Sequence, residues 1–250
     1  MKKIIISAFL LFFMKTHLYA QGFETMDKYW QKVETNLTTV PVDRQDELKS
    51  LANYIAKSIK QDGNVDLMFI CTHNSRRSHF GQIWAAAAAH HLGIQGVRTY
   101  SAGTEATAFN ARAIAAVERA GMIAEHIPDP ILLQQQDTGN KQLRFVNAID
   151  LNNKVMMITV GKGAKPVFCF SKTIDHPLNP AADFGAIMTC SSADAACPIV
   201  KGANFRVAIP YVDPKVSDGK PEESATYDER CLQIATEMLW VMTAVKQQLK

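Results

Sequence analysis

Cys71 ends an apolar run and opens a polar, basic one in the stretch "DLMFICTHNSRRSHFGQ", from Asp66 to Gln82. The spacing Cys-x5-Arg-Ser places Arg77 and Ser78 at the far end of a short loop made of Thr72, His73, Asn74, Ser75 and Arg76. Such a loop wraps a tetrahedral oxyanion with backbone N–H donors, while the Arg77 guanidinium takes two of its oxygens as a planar fork. A cradle of this kind favours the thiolate, the form of cysteine that attacks. Ser78 is placed to donate a hydrogen bond to the sulfur, and Asn74 to brace the loop. The alternative is a buried cysteine that ends a strand beside solvated arginines.

Chemistry at such a loop needs an acid for the departing oxygen. Asp213, in "YVDPKVSDG", follows the last apolar run of strand character, and Asp129, in "HIPDP", is a second Asp-Pro candidate. Asp213 is favoured because it follows a strand, although Asp-Pro is also a common turn dipeptide. In "TCSSADAACPIV", Cys190 ends a strand-like run and Cys197 follows in a flexible segment of small residues. Both are placed to approach Cys71, although spacing alone favours a structural loop disulfide. No pairs of Cys or His complete four ligands at zinc spacing, so no metal site is expected.

The elements that must hold these residues follow a strand–helix rhythm. "VDLMFI" (Val65 to Ile70) reads as a buried strand, "SHFGQIWAAAAAHHLG" as a helix, "GVRTYSAG" as a second strand, and Asn110 to Gly121 as an amphipathic helix capped at both ends. "GAIMTC" and "RVAIPY" are two further strands, and "TYDERCLQIATEMLWVMTAVKQQL" is a closing helix. The expected fold is α/β, a small parallel sheet flanked by helices, with the Cys71 loop at a strand-to-helix junction. Residues 21–64 read as a helical extension, with Leu48, Leu51, Ile55 and Ile59 at helical spacing and Gly63 as terminator. An insertion over about 125–183 interrupts the 65–250 domain. Its "KVMMITVGKGAKPVFCFS" reads as a β-hairpin.

The 250 residues, 47% of them hydrophobic, suffice for a real core. The net charge of +3 is spread without a basic run, which argues against nucleic acid as a partner. "MKKIIISAFLLFFMKTHLYAQG" has the layout of a secretory signal peptide over residues 1–20, with an apolar part too short to span a bilayer. The expected location is outside the cytoplasm, in the periplasm, with a membrane-anchored form as the alternative and no stable membrane insertion after signal removal. In that setting the default for Cys71, Cys169, Cys190, Cys197 and Cys231 is structural disulfides, and an odd count leaves at least one unpaired.

Taken together, "FICTHNSRRSHF", "CSSADAACPIV" and "VDP" resemble the thioredoxin-coupled arsenate reductases, which share the low-molecular-weight protein tyrosine phosphatase fold. The resemblance covers about 65–124 and 184–250. It implies Cys71 as nucleophile, Arg77 as oxyanion binder, and Thr72, His73, Asn74, Ser75, Arg76 and Ser78 around the substrate. It implies Cys190 and Cys197 as a disulfide relay, Asp213 as acid, no bound cofactor, and a thioredoxin-like dithiol reductant as co-substrate. The implied reaction is reduction of arsenate to arsenite, with hydrolysis of phosphate monoesters through a phosphocysteine as the alternative. Four features depart from the family: Arg76 before the arginine, Gln82 where many members carry a glutamate near a potassium site, the insertion, and the signal-like N-terminus.

Overall fold

A run apolar at nearly every position cannot lie at a sheet surface, and β1 (Val65–Cys71) is buried at all of its positions. The computed structural model describes residues 2–127, 132–133, 144–145 and 153–250, with side chains described for 19–127 and 153–250. Before β1 come α1 (Lys2–Asn36) and α2 (Gln45–Asp62). After it come α3 (Arg77–His91), β2 (Val97–Gly103), α4 (Ala111–Arg119) and β3 (Ile123–His126). Next are the paired two-residue strands β4 (Leu132–Leu133) and β5 (Arg144–Phe145), then β6 (Met156–Thr159) and β7 (Val167–Cys169). The chain closes with β8 (Phe184–Met188), α5 (Ser191–Ala196), β9 (Ala203–Ala208) and α6 (Glu223–Leu249).

The main sheet has the order β2-β1-β8-β9, and each neighbouring pair is parallel. The fold is therefore α/β with a four-stranded parallel sheet flanked by helices. Both strands beside β1 end at the Cys71 edge: Cys71 pairs with Gly103, and the Thr189 N–H donates to the Ile70 carbonyl at 2.7 Å. The "RVAIPY" strand lies earlier than its sequence suggests and ends at Ala208, because Pro210 has no N–H to continue the ladder.

α2 buries Leu48, Leu51, Ala52, Ile55 and Ala56, and Gly63 closes it in the left-handed conformation at φ 73°. α1 runs without a break through the segment read as a signal peptide and beyond residue 20. Its Met26, Trp30 and Val33 join the same buried core as α2, α3 and α6. Trp84 of α3 stacks on Tyr29 at 5.2 Å and meets Trp30 edge-on at 5.5 Å. No helix among the described residues is long and apolar enough to cross a membrane.

The hairpin around the Gly-Lys-Gly turn is present as antiparallel β6 and β7, and β3 extends it to a three-stranded sheet. β3 has only four residues and a broken apolar pattern, too little for sequence periodicity to mark it. Gln82 of α3 ties this sheet to the main one, its amide donating to the carbonyls of Thr99 and Phe168, each at 3.2 Å.

Candidate active site

Cys71 is the last residue of β1, and Arg77 is the first of α3. Between them Asn74 takes a positive φ of 43°, which turns the loop back on itself and lets successive N–H groups face one point. Arg76 at the α3 N-cap makes no side-chain cap bond, so the first-turn amides are not quenched from within.

The loop is fastened from behind. Asn74 is fully buried, its Nδ2 donating to Ser78 Oγ at 2.9 Å and its Oδ1 accepting from the Lys172 N–H at 2.8 Å. Ser78 Oγ lies 3.1 Å from Cys71 Sγ. The His73 carbonyl accepts from Ser171 Oγ and Thr107 Oγ1, each at 3.0 Å, and the Ser75 carbonyl accepts from the Asn110 N–H at 3.0 Å. The His73 ring is directed outward, 3.3 Å from Glu105.

Gly103, opposite Cys71, permits this packing. A Cβ there would collide with the Glu105 carbonyl and lie 2.7 Å from both the Asn74 nitrogen and the Thr72 oxygen. Gly103→Ala is expected to displace the loop and cost about 1–3 kcal/mol. The checks are a fall in Tm of roughly 2–4 °C per kcal/mol and a loss of turnover beyond that fall.

The arginines are arranged differently from the simple fork expected from sequence. Arg77 donates from Nη1 to the Tyr211 carbonyl at 2.9 Å and from Nη2 to Asp213 Oδ2 at 2.8 Å. Its Nε is a buried donor with no acceptor among the described residues. A tetrahedral oxyanion over the loop supplies such an acceptor. Arg76 turns away, donating from Nε to the Tyr227 hydroxyl at 2.8 Å, with Asp218 at 3.4 Å. Tyr227 and Asp218, far along the chain, are thus partners of the loop that no local pattern announces.

Asp213 caps a short 3-10 turn, Pro214–Ser217, accepting from the Lys215 N–H at 3.0 Å. The structure therefore brings Asp213 to Arg77. Asp129 lies outside the described residues.

All five cysteines are unbridged thiols. Cys190 packs in one buried cluster with Cys71, and Cys197 lies against that cluster. Cys190 Sγ is 3.4 Å from Thr72 Oγ1 in the loop. The segment between the two cysteines, read from sequence as flexible, is the helix α5. Cys190 is its N-cap, Sγ accepting from the Ala193 N–H at 3.4 Å, and Cys197 is its C-cap. Arg206 of β9 holds the far end, donating to the carbonyls of Cys197 at 3.2 Å and Asp194 at 3.0 Å. Cys169 and Cys231 are buried elsewhere, and burial pushes each thiol up to about 12, which suits packing rather than attack. Among the described residues no cluster of three or more His, Cys, Asp or Glu is placed to hold a metal ion.

A thiol at a strand end, a helix start beside it and a carboxylate on the arginine thus lie together at one edge of the main sheet. A model of the family "low molecular weight phosphotyrosine protein phosphatase" matches residues 66–172, so the family resemblance carried by the loop is borne out over that span. The family is one of enzymes. The matched span contains Cys71 and Arg77 and stops short of Cys190, Cys197 and Asp213. No curated protein matches the chain. Solved structures similar to it include a low molecular weight phosphotyrosine phosphatase from Vibrio cholerae O395, at 10% identity and TM-score 0.42, covering 74% of this chain and 99% of that one. A low molecular weight protein tyrosine phosphatase from T. tengcongensis shows 13% identity and TM-score 0.43, covering 72% and 99%. A thioredoxin-dependent arsenate reductase from Corynebacterium glutamicum shows 16% identity and TM-score 0.36, covering 81% and 71%.

Proposed function

We propose that the protein is a thiol-dependent arsenate reductase in which Cys71 is the nucleophile and Cys190 and Cys197 form a disulfide relay. The observation that carries this reading is the position of Cys190 in the buried cluster with Cys71, at one end of a short helix whose other end is Cys197.

Arsenate binds over the loop, its oxygens held by backbone N–H groups and by Arg77 Nε. The Cys71 thiolate attacks arsenic while Asp213 gives its proton to the departing oxygen, which leaves as water. Cys190 thiolate then attacks the Cys71 sulfur. The sulfur–arsenic bond breaks, its electron pair stays on arsenic, and arsenite leaves as a Cys71–Cys190 disulfide forms. Cys197 attacks Cys190, frees Cys71 as thiolate and carries the disulfide outward. An external dithiol with a thioredoxin-like active site reduces the Cys190–Cys197 bond, so no bound cofactor is needed. The signal-like N-terminus places this chemistry outside the cytoplasm in our reading, where the dithiol must be supplied against an oxidising environment.

A second reading, hydrolysis of phosphate monoesters, is favoured by the match of residues 66–172 to a phosphatase family. There Cys71 is phosphorylated, Asp213 acts as acid and then base toward water, and the other cysteines only protect the nucleophile from oxidation. The experiment that separates them is turnover of arsenate with a dithiol reducing system beside turnover of an aryl phosphate. Reductant consumption that depends on arsenate supports the reductase, and aryl phosphate hydrolysis without it supports the phosphatase.

Asp213→Asn keeps one acceptor oxygen, enough for Arg77 or for the Lys215 N–H but not for both, and loses the proton. The first chemical step is expected to slow by about 10²–10⁴-fold, with oxyanion affinity changed far less. Pre-steady-state rates and phosphate inhibition constants check this. The same phenotype from Asp129→Asn would transfer the acid's role to that residue.

A further inference from the structure

A cavity of about 670 Å³ lies at the β2 edge of the main sheet, between that strand and the β6–β7 hairpin. It is separate from the mouth of the Cys71 loop. Its walls include Gln82, Tyr100, Phe168, Phe170, Lys165 and Lys172, and its volume suits a small organic ligand. Arg98, Lys165 and Lys172 are its formally charged lining residues, and no Asp or Glu lines it among the described residues.

Lys172 is the unusual group. It is only 4% exposed, its ammonium lies 4.7 Å over the Phe170 ring, and it has no acceptor or ion-pair partner among the described residues. Burial pulls it down to about 8. Among the described residues nothing near it supplies a counter-charge: burial pushes the Cys169 thiol up, and burial holds His79 and His176 below the usual imidazole range. Arg98, by contrast, is already committed to Asp66 at 2.5 Å. A buried cation without a partner is costly, and an anion in the adjoining cavity removes that cost.

The backbone of the same residue touches the catalytic loop. The Lys172 N–H donates to Asn74 Oδ1 at 2.8 Å, Asn74 Nδ2 donates to Ser78 Oγ at 2.9 Å, and Ser78 Oγ lies 3.1 Å from Cys71 Sγ. A shift of Lys172 therefore reaches the nucleophile through three hydrogen bonds.

We propose that this cavity is an effector site for a small aromatic carboxylate, its anion between Lys172 and Lys165 and its ring against Phe168 and Phe170, and that occupancy alters the reactivity of Cys71 through Asn74. The inference goes beyond the reductase reading and holds for either reaction at Cys71.

The test uses the full chain under reducing conditions and 2-naphthoate as probe. Calorimetric titration is expected to show saturable binding at pH 7, and the neutral analogue 2-naphthylmethanol at least tenfold weaker binding. Lys172→Met and the exposed-site variant Lys165→Met are each expected to weaken naphthoate by about tenfold. Saturating naphthoate is expected to change the rate of Cys71 alkylation by iodoacetamide at least twofold, read by peptide mass spectrometry. Alkylation reports the thiol itself, so this result is independent of which substrate the enzyme turns over. Lack of saturable binding, equal affinity for the alcohol, affinity unchanged in both variants, or binding with Cys71 alkylation unchanged would each overturn the proposal.

Discussion

Cys71→Ser is expected to abolish every turnover activity of the protein. A serine hydroxyl has an ordinary pKa far above that of a thiol, so it supplies almost no anion to attack arsenic or phosphorus near neutral pH. The loop itself should survive, because Asn74, Ser78 and Lys172 bond to one another rather than to the sulfur, apart from the single Ser78 contact at 3.1 Å. Oxyanion binding should then remain measurable while the rate falls below detection, a loss of ~10³-fold or more. Phosphate binding by calorimetry together with turnover checks this. Retained turnover would return Cys71 to the role of a packing residue at the end of β1.

Cys197→Ser is expected to leave one arsenate reduction per molecule and to stop multiple turnover. The first disulfide, between Cys71 and Cys190, needs only the two sulfurs in the buried cluster. In the proposed relay, releasing Cys71 needs the thiol at the C-terminal end of α5, which Arg206 holds in place through the Cys197 carbonyl. Without it the oxidised nucleophile is trapped, since an external dithiol must reach a buried bond. Aryl phosphate hydrolysis, where present, needs only Cys71, Arg77 and Asp213, and should survive this substitution under reducing conditions. Single-turnover arsenite release, set against steady-state reductant consumption, measures the difference.

Some of this organisation is legible in the chain itself. β1 announces itself because a strand buried on both faces must be apolar at nearly every position, its one charge, Asp66, being paired with Arg98, and α4 because Asn110 caps it, its Oδ1 accepting from the Arg112 N–H. The Cys-x5-Arg-Ser loop is equally local, and the family match over residues 66–172 agrees with it. Less visible are features made by pairings across the fold. The bonds from Arg76 to Tyr227, from Arg77 to the Tyr211 carbonyl and from Lys172 to Asn74 join residues remote in sequence, and no periodicity encodes them. α5 escapes because a six-residue helix shows no full period and its N-cap is a cysteine sulfur rather than a preferred oxygen. Gly103 escapes because its role is an absence of bulk, apparent only once the loop lies against it.

The most direct test of the relay is disulfide mapping of the Cys197→Ser protein by mass spectrometry after one equivalent of arsenate, beside the unsubstituted protein, each with and without a dithiol reductant. The account expects a Cys71–Cys190 linked peptide in the variant and a Cys190–Cys197 linked peptide in the unsubstituted protein, the latter opened by reductant with Cys71 free again. A Cys190–Cys197 bond that forms without arsenate and that reductant never opens, with Cys71 free in both proteins, would contradict it and leave hydrolysis at Cys71 as the activity.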